Sequence, residues 1–295
     1  MQADPRGGAA REISYAHGVR TPAARLFVRG MENATGRIGL IRRAEGYEAE
    51  VDAGADFWDV MARRYGLALD LPGPGLANVP ALGPLLVVAN HPFGILDGLV
   101  LGRILSATRG PDGFRIVAHQ VFRKARALDQ AILPISFDGT REAMRLNLDT
   151  RAEALRFLAQ GGAVGIFPGG TVSTARAPFG PPLDPAWRTF TAKMAAKSDA
   201  AVVPVFFEGA NSRAFQIASH LHATLRLALL IGEFRRRVGG PVRAVIGAPL
   251  DRAEIAARRN DARALMDWLR RETYRLSGKP LGDLGYGHEF EDHWT

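Results

Sequence analysis

Six short apolar runs, five of them followed by a helical segment, constrain this chain more than any other feature. They read LLVVA (85–89), FRIVAH (114–119), AILPISF (131–137), AVGIFP (163–168), AVVPVFF (201–207) and VRAVIG (242–247), with Gly or Pro near their ends. Helical patterns occupy 96–106, 141–159, 185–197, 212–234 and 253–276. Strands that alternate with helices predict an α/β fold, with a mixed, mostly parallel central sheet flanked by helices. At 295 residues, 47% of them hydrophobic, the chain can bury the core of one large domain or two small ones. Two further helical patterns precede the first strand, over 22–43, where Gly30, Gly36 and Gly39 weaken the periodicity, and over 55–65. The expected organisation is a loose arm (1–20), an N-terminal helical region suited to membrane contact (21–77), an α/β domain (78–280) and a polar, aromatic tail (281–295).

Composition narrows the chemistry. Lys and Arg total 38 against 30 Asp and Glu, a formal net charge of +8, which suits a polyanionic partner. The absence of cysteine excludes disulfides, thiolate nucleophiles and cysteine-ligated zinc, and is compatible with a reducing compartment. The first residues, MQADPRGGAAREISYAHG, lack the apolar centre of a secretory signal. The longest apolar runs fall short of the roughly 20 residues that span a bilayer. The chain is therefore expected to be soluble or attached to a membrane surface without crossing it. Basic and aromatic residues do not alternate on one face, so nucleic acid is not an expected partner.

The stretch VVANHPFGILDG (87–98) carries the first candidate chemistry. His91 follows a strand directly, and ligands of open α/β sheets bind beyond the carboxyl ends of strands. Pro92 and Gly94 make a tight bend, and Asp97 falls in or beside the first turn of the next helix. A carboxylate on one imidazole nitrogen fixes the tautomer and leaves the other nitrogen free to take a proton. Asn90 is placed to hold the loop by bonding its backbone. Spacing alone favours the plainer account, in which His91 is a turn residue and Asp97 a helix-start residue. No G-x-S-x-G elbow accompanies the pair, so a basic His91 points to a hydroxyl on the substrate.

A second turn, FPGGTVST (167–174), follows another strand. Gly169 and Gly170 permit close ligand approach, and Thr171, Ser173 and Thr174 supply hydroxyls. Neither a P-loop nor G-x-G-x-x-G is present. Arg176, Arg188, Lys193 and the Arg123-Lys124 pair lie close by in sequence as cations for an anionic group, although each also fits a solvated surface charge. His119 fits a packed strand end, and His220 and His222 point apart on a helix, which argues against a shared metal.

In order, NHPFGILD, FPGGTVS and VVPVFFEGANS resemble the motifs of the glycerolipid (lysophosphatidic acid acyltransferase-like) acyltransferase family, with N-H-x4-D first, F-P-E-G-T-R-S third and a V-P-V strand fourth. The nearest pattern is the hemolysin-like bacterial subgroup, whose first motif reads roughly N-H-P-x-G-x-x-D-G. The resemblance spans about residues 78–250. It implies that His91 deprotonates the acceptor hydroxyl and Asp97 supports it. The acceptor is a lyso-lipid, and the donor is a thioester of acyl-CoA or acyl carrier protein, used as co-substrate with no metal or bound cofactor. The substrate-binding residues it implies are Asn90, Phe167, Pro168, Gly169, Gly170, Thr171 and Ser173, with Arg123, Arg176, Arg188 and Lys193 as the nearby cations. Two departures matter. Five residues separate His91 from Asp97 instead of four, a spacing the subgroup tolerates if the loop bulges. Gly169 and Val172 replace the usual glutamate and arginine, so either Arg176, Arg188 or Lys193 substitutes or the acceptor carries another head, such as that of lyso-ornithine lipid.

A lyso-lipid must arrive from a bilayer. The stretches 25–43 and 221–237, where apolar residues mix with or precede arginines, suit an anionic membrane surface, and each also fits an ordinary packing helix. The expected location is the cytoplasmic face of the inner membrane, peripherally, and otherwise the cytoplasm. The rival readings are a lipid ester or thioester hydrolase that activates water through His91, and a non-catalytic, basic membrane-binding protein.

Overall fold

A computed structural model describes residues 13–19, 21–124, 126–282 and 284–290. Four helices come first: α1 (Pro22–Thr35), α2 (Arg37–Ala44), α3 (Tyr47–Asp52) and α4 (Phe57–Arg64). The 22–43 pattern is two helices and not one. Gly36, at φ +130°, ends the first and begins the second, a conformation closed to residues with a Cβ. Strands and helices then alternate: β1 (Ala68–Asp70), β2 (Leu85–Ala89), α5 (Ile95–Arg109), β3 (Phe114–His119), β4 (Ile132–Ile135), α6 (Arg141–Ala159) and β5 (Ala163–Ile166). A small hairpin, β6 (Thr174–Ala175) and β7 (Pro182–Leu183), precedes α7 (Phe190–Lys197) and β8 (Ala201–Phe207). The chain continues through α8 (Arg213–Leu221), α9 (Ala223–Arg235), β9 (Pro241–Ile246), α10 (Arg252–Ala257) and α11 (Ala262–Arg275).

Two further expected helices are each divided. His222, in extended conformation at φ −165°, ends α8 and caps α9 by accepting from the Thr224 amide. The 253–276 pattern breaks at the turn before Asp261, whose carboxylate caps α11 by accepting from the Arg263 and Ala264 amides. The 185–197 helix starts only at Phe190.

The sheet order is β1-β9-β8-β2-β5-β3-β4. Every pairing is parallel except β8 with β9, which is the mixed, mostly parallel sheet expected. β2 has both edges paired, by β5 and β8, and helices cover both of its faces, so all five residues are buried. That is the physical reason for an uninterrupted apolar run. Leu85, Val87 and Ala89 enter a core with α4 and α5, whereas Leu86 and Val88 face α6, α7 and α11. In α5, a Cβ on Gly102 would lie 2.1 Å from the Trp58 ring, so that glycine is what admits the indole between α4 and the sheet.

The helical region before residue 78 shares this core: Tyr47, Trp58, Met61 and Tyr65 cluster with strand residues, and β1 is itself a sheet strand. Of the expected loose arm, residues 1–12 and 20 lie outside the described residues. Residues 13–19 are packed, with Ser14, Ala16 and Val19 buried. The Ser14 hydroxyl and Tyr15 amide both donate to the buried Glu32 carboxylate, at 2.6 Å each. Part of the expected tail is anchored too. Gly287 donates to the Asp184 carbonyl, His288 donates to the Thr174 carbonyl, and Phe290 is buried. Among the described residues, no helix is long and apolar enough to cross a membrane.

Candidate active site

Parallel pairing brings the carboxyl ends of β2, β5 and β8 to one edge of the sheet, and the loops 90–94, 167–173 and 208–212 meet there. Asn90 fastens the first loop to the third strand. Its side-chain amide donates to the Phe207 carbonyl at 2.9 Å and its oxygen accepts from the Phe207 amide at 2.7 Å. Both polar ends are thereby used in building the loop, and Asn90 does not line the cavity described below.

His91 comes next. Its Nδ1 lies 3.0 Å from Asp97 Oδ2. The Asp97 oxygen also accepts from the amides of Phe93 (2.7 Å) and Gly94 (3.0 Å), closing a capping turn at the start of α5. The extra residue in the spacing is absorbed at Gly94, whose φ of +86° is open only to glycine, and where a Cβ would lie 2.6 Å from the Tyr15 hydroxyl. Asp97 is fully buried. Burial pushes its carboxyl pKa up, against the lowering effect of His91 and of the two amides. A carboxylate at this distance favours the tautomer with its proton on Nδ1, with Nε2 as the ring nitrogen away from the acid.

Asp184, in the turn after β7, locks the second loop to the first. Its Oδ1 accepts from the His91 amide at 3.2 Å and from the Ser173 hydroxyl, and its Oδ2 accepts from Trp187 Nε1 at 2.9 Å. The Ser173 amide donates to the His91 carbonyl at 2.7 Å. Phe167 stacks on the His91 ring, with centroids 4.3 Å apart and planes at 28°. Sequence reasoning missed Asp184. The available signal was an acid flanked by Pro182 and Pro185 and three residues before Trp187, passed over because the helical pattern was started at Pro185.

His91 lines a cavity of about 310 Å³. Its walls are mostly apolar, including Leu99, Ile116, Phe122, Ile132 and Phe167, and its polar lining includes Tyr15, Thr171 and Arg226. His119 lines it as well, and accepts from the Val121 amide through Nδ1.

Of the expected site residues, Phe167, Gly170 and Thr171 line this cavity together with His91. Ser173 is turned onto Asp184, Gly169 packs against the Asp184 side chain, and Pro168 accepts from the Arg188 amide. None of the four expected cations lines it. Arg123 pairs with Asp129 at 2.8 Å, and Arg176 and Lys193 are exposed. The Arg188 guanidinium lies 4.8 Å from the Phe137 ring centroid and lines a neighbouring cleft on the Gly170 side. Arg188 lies against Gly170 of the second turn from that cleft, whereas the cation that both hydrogen-bonds the turn and lines the cavity is Arg226 of α9, which no motif contains. Within the 221–237 stretch, a candidate membrane segment by sequence, Ala228, Leu230, Ile231 and Phe234 of α9 are buried, whereas Leu221 is exposed. His220 bonds the Ala175 carbonyl, and no group of three or more metal-ligating side chains occurs among the described residues.

A family comparison agrees with the motif reading at the level of an acyltransferase family. No curated relative matches the chain. Its structure is similar to that of the 1-acyl-sn-glycerophosphate (LPA) acyltransferase PlsC from Thermotoga maritima, with a TM-score of 0.44 and 18% identity over 90% of this chain and 86% of that one. A family model described as "Acyltransferase" matches residues 50–280, which takes in all three loops of the site and every strand of the sheet. On that match the chain belongs to the acyltransferase family.

Proposed function

We propose that the protein is an O-acyltransferase of lipid metabolism, which moves a fatty acyl chain from acyl-CoA or acyl carrier protein to the hydroxyl of a lyso-lipid. The observation that carries this reading is an imidazole with one nitrogen 3.0 Å from a fully buried carboxylate, opening on a mainly apolar cavity. His91 Nε2 takes the proton of the acceptor hydroxyl as its oxygen attacks the thioester carbonyl. The new C–O bond forms, the C–S bond breaks, and the imidazolium returns its proton to the departing thiolate. Asp97 holds Nδ1–H and stabilises the imidazolium as it forms. The apolar walls fit an acyl chain, and they keep water from competing with the acceptor.

The lipid substrates set the location. Leu26, Phe27 and Ile38 project from α1 and α2 among Arg25, Arg29, Arg42 and Arg43. This mixture suits the interface of an anionic membrane and agrees with peripheral attachment at the cytoplasmic face of the inner membrane. The hemolysin-like subgroup stays the nearest sequence pattern.

Labelled acyl-CoA and acyl carrier protein thioesters, offered with a panel of lyso-lipids and monoacylglycerol, test the proposal. Transfer to at least one acceptor is expected, with His91→Ala lowering turnover by about 10²- to 10⁴-fold. Wild-type turnover in that variant would remove His91 from the mechanism. Release of free fatty acid at the same rate with and without acceptor would make the protein a hydrolase.

A further inference from the structure

Phe93 follows His91 by two residues, and its ring is held between a second site loop and a cation. It is buried, at 3% exposure, and its amide donates to Asp97 Oδ2 at 2.7 Å. The tip of the ring meets Gly209, at φ +119°, where a Cβ would lie 2.8 Å from Phe93 Cζ. The Arg237 guanidinium lies against the same ring, 3.7 Å from its centroid. Arg237 stands in the turn after α9, and its Nη2 donates to the Ala210 carbonyl. One helical turn earlier, Glu233 accepts from the Ser212 amide at 2.9 Å and from the Ser212 hydroxyl. The end of α9 therefore grips the loop 208–212 at two points and meets the loop 90–94 through the Phe93 ring.

Charge joins Arg237 to Asp97 as well. Burial lowers the guanidinium pKa, and the carboxylates of Asp97 and Glu233 act to raise it. Such an interaction is mutual: a carboxylate that favours the guanidinium is itself favoured in its ionised form. Asp97 needs that support, because burial is the largest influence on its carboxyl and opposes ionisation. Of the other groups that face Asp97, Tyr15 of the N-terminal segment stays neutral, since burial pushes its hydroxyl pKa well up. His91, from the loop after β2, turns positive only when it takes a proton. Arg237 brings a charge that does not depend on the reaction. The ring it lies on excludes water, so the charge acts through a medium that screens it less.

We propose that Arg237 is a positioning residue for the reaction at His91, clamping the loops 90–94 and 208–212 around Phe93 and favouring the ionised carboxylate of Asp97. This inference rests on the proposed acyl transfer for its effect on rate, whereas its effect on the His91–Asp97 pair is measurable without substrate. The reactive pair, a neutral imidazole beside an ionised carboxylate, holds one proton fewer than the form on its acid side. A nearby positive charge favours loss of that proton whichever of the two groups carries it. Removing the charge therefore moves the titration of the pair to higher pH.

NMR of histidine-labelled protein follows that titration through the His91 ring, whose signals are assigned by their loss in His91→Ala. In Arg237→Gln the midpoint is expected to rise by about half a unit to one unit, and in Arg237→Lys to stay close to wild type. The acid limb of kcat/KM for acyl transfer should move up with it, so that on this limb Arg237→Gln is about three- to tenfold slower. Should Arg237→Gln fail to fold by thermal unfolding, Arg237→Met, whose chain covers Phe93 without a charge, takes its place with the same shift expected. An unmoved midpoint in the folded variant overturns the proposal, as does a shift in Arg237→Lys equal to that in Arg237→Gln. A rate loss of equal size at every pH would leave Arg237 a purely structural part and overturn it too. A moved midpoint in a protein that transfers no acyl group would keep the tie between Arg237 and Asp97 and count against the reaction.

Discussion

Asp97 shows how the site trades stability for chemistry. Burial raises its carboxyl pKa above that of the unfolded chain, so the folded state holds the proton more tightly. The stability this contributes is complete below the unfolded pKa and is lost as pH rises through the folded one. Ionised, Asp97 therefore weakens the fold while serving His91. Asp97→Asn can still accept from the Phe93 and Gly94 amides that close the capping turn. The expected outcome is a thermal midpoint at pH 8 equal to or above wild type, with turnover lowered by about 10²- to 10⁴-fold. Melting curves from pH 4 to 8, read beside acyl-transfer rates, check both halves, and a lower midpoint at pH 8 would contradict the assignment. The pair itself was legible in the sequence because six positions of chain and one glycine suffice to fold it. Asp184 was not, because its partners His91 and Ser173 come from two other loops that only the sheet brings to it.

At the scale of elements, the apolar runs matched the bounds of β2, β3 and β8 residue for residue. The three-residue β1 escaped notice because its exposed and half-buried residues carry no apolar run. Helix ends depended on particular residues, such as Gly36 and His222, whose effect a periodicity averages away. The paired helices α1 and α9 also separate the two membrane candidates. They pack on each other, and α9 spends its apolar residues on the core, whereas α1 leaves Leu26 76% exposed and Phe27 45% exposed. Replacing both by serine is expected to weaken binding to phosphatidylglycerol vesicles by about tenfold or more, since each apolar side chain buried is worth about 1.5–3 kcal/mol. Cosedimentation at low and high salt measures this. Because neither side chain is buried, the thermal midpoint in solution should stay within a degree or two; retained vesicle binding would move the membrane face elsewhere.

Across the whole molecule, the N-terminal segment closes over the site that later elements build. Glu32 of α1 accepts from Ser14 and Tyr15, and the Tyr15 hydroxyl accepts in turn from the Ile95 amide at the start of α5 at 3.1 Å. Glu32→Ala should release this tie at a cost of about 1–3 kcal/mol. Hydrogen exchange at residues 13–19 is expected to quicken and the KM for the lipid acceptor to rise; unchanged protection there would show that the segment is held by its apolar contacts alone. The sequence by itself determined the alternation of strands and helices and put Asp97 within reach of His91, because apolar periodicity and short loops act over a few residues; it was the motif resemblance, and not the spacing, that marked the two as a pair. Only the tertiary structure decided that Asn90 spans to Phe207, Tyr15 to Ile95, Asp184 to His91 and Arg226 to Thr171. Those contacts join residues 117, 80, 93 and 55 positions apart. Their partners follow from which strands lie side by side and which helices cover them, and that neighbourhood is set by packing the whole core at once.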